Sequence, residues 1–172
     1  MFVNNGLRAE EQNCHDVITI LESVARDGDA SSLPWDKLKS CGLLDRTPRS
    51  LGPNPICGRI LQYAKQQVTG FRERLGPTVC IFKIGVTAHP AVRFQDYVLK
   101  RFSQMWIVFK SNDLSLVHML EAALISEFYT CTGCRNAPHT GGEGALNQKK
   151  HGGPPFYVYV TGGRADQAKW VG

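Results

Sequence analysis

Two side chains are set where chemistry could be done. Arg93 stands in VCIFKIGVTAHPAVRFQDY, residues 79–97, a stretch that reads as a buried strand, a turn and the first turns of a helix. A guanidinium there offers a planar fork of donors suited to an anion. Glu121 stands in VHMLEAALISEF, between Leu120 and Ala122, at the border of an apolar stripe. A carboxylate in that position costs on the order of several kcal/mol unless a cation or a metal partners it. Arg93 is the candidate partner, and two readings stay open: a site built for an anion, or a plain buried ion pair linking two helices. His118 lies near the same helix face and reads either as a core histidine or as a group that orients the carboxylate. His89, beside Pro90 in the turn, reads as exposed and able to meet a phosphate.

The loop that follows carries Cys131 and Cys134 as a CxxC, with His139 and His151 further on. Zinc takes four nitrogen or sulfur ligands, and this set matches in number but at irregular spacing, so the sequence disfavours zinc there. A thiol pair, a reversible disulfide and inert loop cysteines are the other readings. The GGEG run, Gly141–Gly144, precedes no obvious helix and so does not read as a phosphate loop. Lys149, Lys150 and His151 add positive charge beside it, which makes this loop a candidate nucleic-acid contact.

These residues need elements to hold them. Val79, Ile81, Phe82 and Ile84 make a β-forming run, Gly85 allows close approach to the backbone, and Pro90 suits a helix's first turn. That helix is expected to run on through Phe94, Tyr97, Val98 and Phe102. Residues 105–110, MWIVFK, read as the next strand. Asp113 is a good N-cap for a helix whose Leu116, Leu120, Leu124 and Phe128 recur in steps of four. FYVYVTGG, from Phe156, reads as an alternating strand. Upstream, residues 10–26 and 35–44 read as helices, the second with Leu38 and Leu43 inward. Ile56, Ile60, Ala64, Val68 and Phe71 mark another helix, whose opposite face carries Arg59, Lys65, Arg72 and Arg74. That basic face could follow a phosphate backbone or could simply be solvated.

A chain of 172 residues with 42% hydrophobic content can bury one real core. The proline-rich TPRSLGPNP, residues 47–55, is the best internal boundary, giving a helical N-terminal extension over 1–54 and an α+β domain over 55–172, a small sheet flanked by helices. A net charge of +5 suits a polyanionic partner and equally suits solubility. The N-terminal MFVNNGLRAEEQ has no apolar h-region, and no apolar run reaches about 18 residues, so the sequence predicts no signal peptide, no membrane span and an intracellular location, nuclear or cytoplasmic. Cys14, Cys41, Cys57 and Cys80 then read as reduced, buried small hydrophobes.

KIGVTAHPAVRF, then MLEAALISEF, then CRN and GGEG together resemble the GIY-YIG nuclease superfamily, in its divergent branch whose second signature reads K-I-G. The resemblance covers residues 79–144. It implies metal-dependent endonuclease activity on DNA or RNA, with Glu121 holding one divalent ion, Mg2+ or Mn2+, and Arg93 stabilising phosphate charge. It also implies a tyrosine that helps activate water. Lys83, His89, Asn136, Lys149 and Lys150 are the candidate nucleic-acid contacts. Lys83 stands where many members have tyrosine, and the alternative is a nucleic-acid-binding or protein-interaction module that keeps the fold without activity.

In the family a tyrosine-bearing strand precedes the second signature and pairs with it. Here the preceding residues, GFRERLGPTV, read as helix and then a Gly-Pro break. An unpaired row of backbone groups along the K-I-G strand would be costly. The sequence therefore predicts that Phe156–Val160 pairs beside Val79–Ile84, as in a circular permutation of the family order, and supplies Tyr157 or Tyr159 to the site.

Overall fold

The computed structural model describes residues 5–26, 34–49, 57–136 and 153–166. The helices are α1 (Asn5–Arg26), α2 (Trp35–Ser40), α3 (Cys57–Leu75), α4 (Pro90–Val98) and α5 (Leu114–Phe128), and the strands are β1 (Leu43–Asp45), β2 (Cys80–Thr87), β3 (Gln104–Ser111) and β4 (Phe156–Arg164). They form an α+β architecture around one mixed sheet of order β1-β3-β4-β2. β4, last along the chain, is a central strand, antiparallel to both β2 and β3, while β1 runs parallel to β3.

Alternation along the strands gives the sheet two apolar faces. On one, α3 and α5 cover Phe82, Ile84, Val86, Trp106, Val108, Val158 and Val160. On the other, α1, α2 and α4 cover Ile81, Met105, Ile107, Tyr157 and Tyr159. α3 buries Ile60, Ala64, Val68, Phe71 and Leu75 at the spacing the sequence predicts, and Phe71 meets Trp106 edge-on with ring centroids 5.4 Å apart. A fully buried phenylalanine of this kind is worth about 3–5 kcal/mol against alanine. α5 starts where its N-cap dictates, because the Asp113 carboxylate accepts from the Ser115 and Leu116 amides.

Three expectations are corrected. Residues 35–44 are not one helix: α2 ends at Ser40, Gly42 turns at a φ of 91°, and Leu43 and Leu44 pair with Met105 and Trp106 in β1. Leu38 and Leu43 are both buried, but on different elements. α4 stops at Val98 rather than reaching Phe102, since Arg101 adopts a φ of 62°, a conformation that does not continue a helix. Of the cysteines read as buried, Cys41 and Cys80 are, whereas Cys57 is exposed. The boundary between residues 54 and 55 lies outside the described residues. So do His139, the GGEG run, Lys149, Lys150 and His151. No helix among the described residues is long and apolar enough to cross a membrane.

Candidate functional site

β2 and β4 pair in register, with Lys83 opposite Thr161 and Gly85 opposite Tyr159. Glycine at 85 has a steric reason: a Cβ there would overlap the Tyr159 phenol, which lies across that position. The Tyr159 hydroxyl lies 3.3 Å from the Tyr97 hydroxyl. Tyr97 comes from α4, four residues after Arg93 and so on the same helix face. Its ring is stacked on Phe102, centroids 5.3 Å apart and planes 11° off parallel. The turn at Arg101 is what brings Phe102 back beneath it.

The groups form one electrostatic neighbourhood. Burial, and then Tyr97, push the Tyr159 phenol well above its ordinary value, while Arg93 pulls it back and Glu121 adds to the rise. Tyr97 is likewise raised, first by burial, with its hydrogen bond to Tyr159 and the Arg93 charge opposing. Burial, Lys100 and Arg93 lower the Lys83 ammonium, and Glu121 acts the other way. Both phenols are therefore protonated near neutral pH. The phenols are buried, Lys83 is half-buried, and the Arg93 side chain is 42% exposed.

Arg93 makes an ion pair with Asp96, at 3.6 Å between exposed side chains. Such a pair is worth less than about 1 kcal/mol and gives way readily to a stronger anion. Glu121 is contacted by His118, whose Nδ1 lies 3.3 Å from Oε2, the two side chains being 8% and 13% exposed. The partners formed by the two residues singled out first are thus Asp96 and His118, with Arg93 and Glu121 sharing a neighbourhood through the phenols and Lys83.

Of the two candidate tyrosines, Tyr159 enters this group. Tyr157 sits elsewhere along β4, its ring 5.7 Å from the Lys110 Nζ, with its hydroxyl raised by burial and by Asp45. His89 is exposed at the N-cap of α4, its amide donating to the Thr87 hydroxyl. Asn136 spends its amide on the backbone: Oδ1 accepts from the Ile84 N–H and Nδ2 donates to the Ile84 carbonyl, each at 2.8 Å. With Gly133 and Arg135 paired to Phe82, it closes the outer edge of β2. On α3, Lys65 is paired to Glu127 at 2.7 Å and the Arg72 guanidinium lies 5.2 Å from the Phe82 ring, so these two charges face protein rather than a common outer track.

Tyr97 and Lys100 were not legible as site residues. Tyr97 reads as one more member of an apolar face, and only its spacing of four from Arg93 hints at more. Cys131 and Cys134 are free thiols, and Cys134 is raised by burial. Among the described residues no group of three or more His, Cys, Asp or Glu is arranged to hold a metal ion. Comparison with protein-family models, curated proteins and solved structures gave no significant match.

Proposed function

We propose that the protein is a metal-dependent endonuclease of the GIY-YIG type, with its tyrosine strand moved to the C-terminal side of the other site elements. The observation that carries the reading is the register of β4 on β2, which puts the Tyr159 phenol beside Tyr97 and within the electrostatic reach of Arg93 and Glu121. Arg93, exposed and weakly held, is the group that takes the phosphate. Lys83 adds a second positive charge close by. The two phenols, kept protonated by burial, share one hydrogen bond and hold the site's form.

The donor set for a metal is the single carboxylate of Glu121, a hard oxygen ligand of the kind magnesium and manganese accept. With Lys83 and Arg93 in the same neighbourhood, the carboxylate is a weak cation site until an anionic substrate arrives. When bound, such an ion polarises a phosphoryl oxygen and lowers the pKa of a bound water. The test is a nicking assay on supercoiled plasmid and on structured RNA with magnesium or manganese, comparing the parent with Glu121→Ala, each accompanied by a melting curve. Cleavage by the parent and none by a folded Glu121→Ala is the expected result. Full cleavage by that variant would sink the assignment.

The deep burial of Tyr159, 3% exposed, favours a second reading: a module that binds nucleic acid without cutting it. Binding that weakens with salt, with no cleavage under either metal, would select this reading.

A further inference from the structure

The buried His118–Glu121 contact has no part in the reading above. His118 is three residues before Glu121 on α5, one helical turn away, and its Nδ1 faces the carboxylate Oε2 at 3.3 Å. His118 is buried, at 7% exposed. Toward an ionised carboxylate, which only accepts hydrogen bonds, the ring nitrogen that faces it is the one that donates.

We infer that His118 is a positioning residue, which holds the Glu121 carboxylate in one rotamer by donating from Nδ1. The inference rests on the nuclease reading, because it is the placing of Glu121 that gives the contact a purpose. A free glutamate side chain turns about three bonds, and fixing one carboxylate oxygen removes much of that freedom for the whole group. Carboxylate ligands are commonly held in this way, and removing the holding group typically lowers metal affinity or activity about 10- to 100-fold. On α5 the arrangement costs little to build, since residues three apart on a helix already face each other.

Two experiments on the full chain test it. In the metal-free protein, nitrogen NMR of the His118 ring should find Nδ1 protonated, and Glu121→Ala should abolish that preference. A ring protonated only on Nε2 in the parent overturns the inference whatever the variants do. In the cleavage assay, His118→Leu should lower kcat about 10- to 100-fold with KM for nucleic acid little changed, since Arg93 and Lys83 are untouched. His118→Asn, whose Nδ2 falls near the place of the imidazole Nδ1, should recover most of the loss, whereas His118→Gln, whose donor falls near Nε2, should not. If Glu121→Ala is folded and inactive but His118→Leu keeps the parent's kcat, the role of His118 alone is overturned. If Glu121→Ala cleaves like the parent, the nuclease reading falls and the role of His118 falls with it.

Discussion

Gly85 is the residue on which the local geometry turns most sharply, because the space a side chain would need is filled by the Tyr159 phenol. Gly85→Ala should therefore push that ring off Tyr97 and lower stability by about 1–3 kcal/mol, the usual cost of overpacking, with loss of cleavage. A melting curve and the nicking assay measure the two effects separately. Gly85→Ala with Tyr159→Phe should not restore stability, since the Tyr159 ring carbons also lie in the way. A second residue-scale prediction concerns pH. Burial raises the Cys80 thiol from 9.0 to about 11, with Arg72 opposing. The unfolded chain then gives up this proton near 9 while the folded chain keeps it, so the contribution is whole below pH 9 and is lost as pH rises toward 11. Thermal melts should show stability falling across that window, and falling less steeply in Cys80→Ala once the lower baseline of the variant is subtracted.

Among the elements, β2 has the most exposed task, since it lies at the sheet's edge and carries Lys83 and Gly85. Its outer side is closed by residues 133–136, and the Asn136 amide stands in for a peptide unit against Ile84. Asn136→Ala leaves both polar groups of Ile84 without that partner and should cost about 1–3 kcal/mol, with hydrogen exchange at the Ile84 amide accelerated beyond the change in global stability. The sequence marks Asn136 through the family resemblance but not this use, because nothing in the run CRN shows which strand it lies along. Other elements were legible to different degrees. The strand character of FYVYV and its pairing beside β2 could be read, since the edge of the K-I-G strand demanded a partner. β1 could not: Leu43 and Leu44 follow the helix-forming run from Trp35 with only Gly42 to mark a break, and a three-residue strand is too short to show a period of two. The end of α4 was hidden for a similar reason, as Phe102 continues the apolar pattern even though Arg101 has already turned the chain.

At the scale of the whole molecule, a net charge of +5 bears on how a polyanion is met. If Arg93 contacts phosphate, nucleic-acid binding should weaken as salt rises, and Arg93→Ala should reduce the slope of log affinity against log salt by about one. Fluorescence anisotropy over a salt series reads this directly; an unchanged slope would remove Arg93 from the interface. The larger feature is the strand order. β2 and β3 do not pair with each other; β4, which follows both along the chain by way of a long connection, lies between them. On a ribosome, then, Arg93, Tyr97 and Glu121 are all made before the strand that brings the last phenol among them. A nascent chain stalled after α5 would hold two strands with nothing between them and no assembled site, so any cutting activity is withheld from the translated message until β4 emerges.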